Sequence, residues 1–374
     1  MDKAKKIVFI GFDVESTGGI STYSRYQIKA LRSQYNNIKV YTLDQFEKSY
    51  KGYSDISLRY NTKLVLARLM ITLLLRERNA DLIVFNHVNL SFLGAILNKI
   101  CKIKYVVFGY NTDILIYLKG LYEFGLKNSE ALVIDCKYTI DRLNEFHEII
   151  PTTYLLYDPI DMDFFKPINK IKSRKYLADK YNIDFSNKFV ITTVALMRVT
   201  ANKGHRLIVD SIEKINNKNI LYLITSDGRD KKNIEKYVED KRLKDQVVFF
   251  GYVESVLIPY FYNSSDMVAL ISKDGYGKGE GVPLGLMEAS SCEVPILAGV
   301  EDGSYEAISD KHLNGFRVNP RDTGEIAEKI QFYIDNPGVR KQHGKNGRKF
   351  VMEEFEYGKF RDKHNKIIDE ILNV

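Results

Sequence analysis

At 374 residues the chain is too long for one compact core and suits two domains of ordinary size. Its 45% hydrophobic content supplies two cores without a disulfide or metal staple, and Cys101, Cys136 and Cys292 stand too far apart to form a Cys-x-x-Cys pair. The formal net charge of +7 favours an anionic ligand or an anionic membrane surface; the cations are dispersed and no zinc-finger or aromatic RNA-binding signature occurs, which argues against nucleic acid as a partner.

In chain order, the first apolar run, residues 7–12, ends at Asp13 and is too short for the core of a secretion signal. Residues 6–10, 38–41, 82–85, 105–108 and 131–134 read as buried strands. Helical spacing of apolar residues lies between them, as over 23–31 and 64–75. The latter contains Arg68 and falls well short of the about 20 apolar residues that span a bilayer. With three unpaired thiols, these features imply a cytoplasmic protein. A polar, proline-marked and Lys-rich stretch over 158–175 marks a linker. The pattern then restarts, with strands over 189–194, 221–224, 247–250, 267–270 and 294–297 and a helix over 206–214. Charged helices follow over 339–350 and 359–372. Strands alternating with helices predict an α/β protein of two doubly wound, Rossmann-like domains facing a central cleft. The boundaries are 1–165 for the first domain and 166–350 for the second, with a C-terminal helix over 351–374 packing back towards the first.

Chemistry concentrates in the second half. Residues 279–289 read Gly-Glu-Gly-Val-Pro-Leu-Gly-Leu-Met-Glu-Ala, a tight loop running into a helix near Pro283. Such a start offers backbone N–H groups and a positive dipole end to an anion. Glu280 lies in the loop, and Glu288 in the helix can offer both oxygens to vicinal hydroxyls. Arg198 and Lys203-Gly204 follow a strand, a good arrangement for a diphosphate. Taken alone, the first segment can also be read as a helix start with ordinary solvated carboxylates, and the two cations as exposed surface charges. Asp227-Gly228-Arg229-Asp230 reads as a turn after a strand, and no Asp-x-Asp element offers a metal site. His205 reads as a solvated residue at a helix start, and His87 and His312 as structural.

Together, in this order and spacing, Arg198, Lys203-Gly204 and residues 280–289 resemble the nucleotide-sugar site of GT-B fold, retaining glycosyltransferases of family 4. The resemblance extends over most of the chain. Thr17-Gly18-Gly19-Ile20 is similar to that family's glycine-rich loop after the first strand, and residues 154–167 to its interdomain segment. Phe250-Gly251-Tyr252-Val253 resembles the place where main-chain groups meet the nucleobase, and residues 303–308, with Glu306, the turn after a later strand.

The resemblance implies transfer of a sugar from a nucleotide diphosphate sugar to a glycan or lipid-linked glycan, without a metal or other cofactor. Arg198 and Lys203 would hold the diphosphate and neutralise the leaving group; Glu280 would face the donor sugar. Backbone amides of Gly281, Val282, Pro283 and Leu284 are the segment that would meet sugar or phosphate, with Pro283 lacking one donor; Glu288 would bind the ribose. Gly18 and Gly19 would let the first loop approach the phosphates, and Tyr252 and Val253 would flank the base. Where the family usually presents a His near the acceptor, this chain has Tyr110, with Asp113 the nearest carboxylate; Tyr donates a hydrogen bond but is a poor base near neutral pH. That departure keeps two alternatives open, a nucleotide-sugar epimerase on the same fold and a non-catalytic nucleotide-sugar binding module. A dinucleotide-dependent oxidoreductase is disfavoured, since residues 11–19 lack the Gly-x-Gly-x-x-Gly spacing. Residues 64–78, apolar and flanked by Arg, suit a helix packed on the first sheet and leave a peripheral membrane contact open.

Overall fold

The computed structural model describes residues 5–16, 18–46, 48–60, 64–111, 114–115, 120–146, 151–197, 203–273 and 279–373. The chain forms two compact units, Met1–Pro159 with Tyr357–Val374, and Ile160–Glu356.

The first unit carries strands β1 (Lys6–Phe12), β2 (Asn37–Asp44), β3 (Ile56–Arg59), β4 (Leu82–Phe85), β5 (Lys104–Gly109), β6 (Ala131–Ile134) and β7 (Thr153–Leu155). They form one sheet in the order β3-β2-β1-β4-β5-β6-β7, every neighbouring pair parallel. Helices α1 (Gly19–Gln34), α2 (Leu64–Arg76), α3 (Ser91–Cys101), α4 (Leu121–Lys127) and α5 (Lys137–Phe146) make the crossovers. Alternate residues of each strand feed two separate cores, because side chains along a strand point to opposite faces. Val8 and Ile10 join Leu69 and Leu73 of α2 and Leu93 and Leu97 of α3 on one face. Ile7 and Phe9 join Ile28 and Leu31 of α1 on the other.

The second unit repeats the plan with β8 (Phe189–Val194), β9 (Ile220–Thr225), β10 (Val247–Gly251), β11 (Met267–Leu270), β12 (Ile296–Gly299) and β13 (Gly315–Val318). Their order is β10-β9-β8-β11-β12-β13, again all parallel. Its helices are α6 (Lys170–Tyr181), α7 (His205–Ile215), α8 (Lys231–Asp240), α9 (Ile258–Ser264), α10 (Leu284–Ser291), α11 (Thr323–Asp335) and α12 (Pro337–Glu354). The direction in which successive strands are added to the sheet reverses between β8 and β11, the switch point where open sheets of this kind leave a crevice at the strand ends. The buried Asp266 carboxylate ties α6 to the sheet, taking Arg174 Nη2 at 2.7 Å and Lys170 Nζ at 3.0 Å. Ile160 N donates to Phe355 O at 2.7 Å, joining the two ends of this unit. The final helix, α13 (Tyr357–Asn373), belongs to the first unit, where Phe360, Ile367, Ile368 and Ile371 enter the core beside α1.

Three strands, β3, β7 and β13, have no counterpart in the apolar runs read from sequence, and β7 overlaps the start of the stretch read as interdomain. All three are sheet edges and only partly buried, so they carry no continuous apolar run. Among the described residues, no helix is long and apolar enough to cross a membrane.

Candidate functional site

In the second unit the loop leaving β8 is braced before it reaches the site. Met197 N donates to Asp227 O at 3.1 Å, within the turn that follows β9. Arg198, and residues 198–202 as a whole, lie outside the described residues. The chain is described again at Lys203, whose ammonium is ion-paired with the Glu280 carboxylate. Gly204 takes φ +84°, and a Cβ there would come within 2.5 Å of the Ile271 carbonyl at the end of β11. Only glycine fits both demands. It turns the chain directly into α7, leaving Lys203 at the helix start.

His205, the first residue of α7, is buried rather than solvated. Its sequence position beside a cation suggests exposure, but the tight turn at Gly204 folds the ring inward. Burial, aided by the Lys203 charge, lowers its pKa to about 4, so the ring is neutral at pH 7. Its Nε2 has no hydrogen-bond partner in the structure.

The Glu280 loop is held by Asp302, a residue that sequence reading did not single out. Asp302 Oδ2 accepts from Glu280 N at 2.7 Å and from Ser272 Oγ at 2.6 Å; Oδ1 accepts from Ser304 N at 3.0 Å. Gly303 N returns a bond to Glu280 O at 3.0 Å. A Cβ on Gly303 would come 2.8 Å from that same oxygen. Burial pushes the Asp302 carboxyl up, while its donors and the Lys203 charge pull it back.

Next along the chain, Pro283 occupies the cap position of α10 with φ −68°, and the helix proper begins at Leu284. A Cβ on Gly285 would meet both Val194 O and Tyr262 Oη at 3.3 Å, so this helix start packs against the end of β8. One turn later Glu288 accepts from Tyr262 Oη at 2.7 Å. Burial pushes its carboxyl up to about 7, and the Tyr262 bond only partly offsets that rise. Gly281, Val282 and Leu284 are half-buried along the same segment. Tyr252 follows β10 and is 78% exposed, while its neighbour Val253 is buried. Lys203, Glu280, Asp302 and the start of α10 are thus gathered at the carboxyl ends of β8, β11 and β12.

In the first unit, Gly18 caps α1 with φ +126° and Gly19 opens it; a Cβ on either would meet no heavy atom within 4 Å. Thr17 and Asp113 lie outside the described residues. Tyr110 follows β5 and is buried edge-on to Tyr23, with ring centroids 5.7 Å apart, and 6.5 Å from His87. His87 is a cap, its Nδ1 accepting from Asn89 N at 3.1 Å. Beyond β7, burial and the nearby Asp135 hold the Asp158 carboxyl well above the usual range, and its Oδ1 has no hydrogen-bond partner in the structure. Among the described residues, no three His, Cys, Asp or Glu side chains are grouped to hold a metal ion.

Two parallel-sheet, Rossmann-like domains in succession are the GT-B fold. In fold the chain is similar to Anabaena HepE solved in complex with UDP, with a TM-score of 0.81 over 98% of this chain and 100% of that one at 16% identity. Residues 179–350 match the family model described as Glycosyl transferases group 1. An uncharacterized glycosyltransferase of Methanocaldococcus jannaschii is 22% identical over 341 residues, 88% of this chain and 84% of the relative. The capsular polysaccharide biosynthesis glycosyltransferase CapM of Staphylococcus aureus is 26% identical over 251 residues, 64% of this chain and 63% of CapM. By these matches the chain is similar to group 1 glycosyltransferases.

Proposed function

We propose that the protein is a retaining hexosyltransferase of the family 4 type, moving a sugar from a nucleotide diphosphate donor to a glycan built on a lipid carrier. The observation that supports this most is the Lys203–Glu280 ion pair at the start of α7. A cation at a helix N-terminus opposes the positive dipole end and calls for an anion between them. Glu280 fills that role in the structure, and the donor diphosphate takes it over, freeing Glu280 to face the sugar. Lys203 and Arg198 then neutralise the leaving group while amides of the 281–284 loop meet the phosphate and sugar. Glu288, ionised, grips the ribose diol, and main-chain groups at Tyr252 and Val253 border the base. The acceptor hydroxyl attacks the anomeric carbon on the face that the diphosphate leaves. Its oxygen forms the new glycosidic bond, the bond to phosphate breaks, and the departing phosphate oxygen takes the proton. Neither a protein nucleophile nor a metal is part of this scheme. Gly18 and Gly19 keep side chains out of the way of the donor phosphates, and Tyr110 and Asp113 serve the acceptor side, in a cytoplasmic setting.

The test is a thermal-shift panel of uridine, guanosine and adenosine diphosphate sugars, followed by a transfer assay with whichever donor stabilises the protein. Lys203→Ala and Glu288→Ala keep the fold and severely weaken donor use. If either transfers sugar at the parent rate, the site assignment is wrong.

A further inference from the structure

We propose that the outward face of α2, α3 and α4 docks the protein on an anionic lipid bilayer. The three helices cover one face of the first sheet, α2 packing beside α3 and α3 beside α4. The inward side of α2 is satisfied, with Leu69 and Leu73 fully buried. A surface helix then normally turns polar residues outward. Here the opposite stripe is Leu64, Arg68, Ile71 and Leu75, with Leu64 and Leu75 each more than three-quarters exposed. On α3, Ile100 is 60% exposed beside Lys99, and on α4, Leu121 is 68% exposed. Of the ten large apolar side chains exposed among the described residues of the first unit, eight lie on these helices. Such a concentration marks a binding surface rather than scattered exposure.

The charges select the occupant. Arg68, Arg76 and Lys99 stand exposed among the apolar side chains, and the one carboxylate on the three helices, Glu123, is paired with Lys127 at 2.8 Å. Apolar residues interleaved with arginine and lysine suit the headgroup–acyl boundary, where the side chains bury and the cations meet lipid phosphates. A second copy of the same face would bring these cations against their own kind. The inference deepens the reading of a lipid-linked acceptor but needs none of its chemistry: loss of sugar transfer would leave bilayer binding untouched.

The experiment is flotation of the full chain with vesicles of phosphatidylcholine, with and without phosphatidylglycerol. The protein floats with the anionic vesicles, and added salt weakens the binding. Ile71→Asp with Leu75→Asp, and separately Arg68→Glu with Arg76→Glu, lower the bound fraction at least about tenfold while the donor-induced thermal shift stays at the parent value. No flotation, flotation indifferent to phosphatidylglycerol, or parent-like binding by both double variants overturns the proposal. So does sedimentation that shows a dimer which Ile71→Asp with Leu75→Asp dissociates.

Discussion

The carboxyl ends of the two sheets are furnished differently. In the second unit they hold formal charges in engaged arrangements: Lys203 on Glu280, Asp302 gathering three donors, and Glu288 under Tyr262. In the first unit, the two residues after β4, β5, β6 and β7 include no Lys or Arg; they are Asn86-His87, Tyr110-Asn111, Asp135-Cys136 and Leu156-Tyr157. Asp158 just beyond is pushed towards its neutral form. A diphosphate demands fixed positive charge, whereas a sugar hydroxyl needs only a donor and an acceptor. The contrast accords with the donor end and the acceptor end proposed above, built on the same sheet plan.

The comparison can be broken in steps. Asp302→Ala has the largest expected effect, because it strands the Glu280 amide, the Ser304 amide and the Ser272 hydroxyl in a buried place. Stranding several buried donors costs about 3 kcal/mol or more, read as a lower denaturant midpoint. Lys203→Ala comes next. One charge-assisted contact is worth about 1.5–3 kcal/mol, so kcat/KM for the donor falls roughly ten- to a hundredfold. Glu288→Gln loses about tenfold in donor affinity by titration calorimetry, since a neutral amide accepts two hydroxyls less strongly than a carboxylate.

The Glu288 pKa of about 7 sharpens the point. The folded protein holds this proton more tightly than the unfolded chain, so the stabilisation from it is complete at low pH and lost as pH rises through about 7. A diol needs the carboxylate, so donor binding strengthens over the same rise and weakens below it by up to about tenfold per pH unit. Glu288→Gln flattens both profiles. The smallest effect belongs to the first unit: Tyr110→Phe changes acceptor kcat/KM by only about a fewfold and leaves donor affinity unchanged, as expected for one uncharged hydrogen bond.

Much of the fold was legible because central strands of parallel sheets are buried on both faces and spell continuous apolar runs. Residues 82–85, 131–134, 189–194 and 267–270 coincide with β4, β6, β8 and β11. The edge strands β3, β7 and β13 escaped because one side of each is open and their sequences mix. The site divides in the same way. Lys203, Glu280 and Glu288 were visible as residue types at telling spacings within one segment or between neighbouring ones. Asp302 was not, because its work is done on a backbone amide 22 residues earlier, and amides carry no signature in sequence. Tyr262 reaches Glu288 across 26 residues from a helix whose apolar character reads as plain core. His205 misled because adjacency to a cation says nothing about the direction in which a left-handed glycine turns the next side chain.

The last helix, α13, seals the core that the first strands begin. Domains usually complete themselves in the order they leave the ribosome. Here the earlier unit waits for Tyr357–Val374, which follow the whole of Ile160–Glu356 in the chain, while Ile160–Glu356 has both its ends in hand sooner. During translation the later-encoded unit is therefore the first that can finish folding. A nascent chain stalled before Tyr357 would display the unsealed apolar groove beside α1 to any passing chaperone.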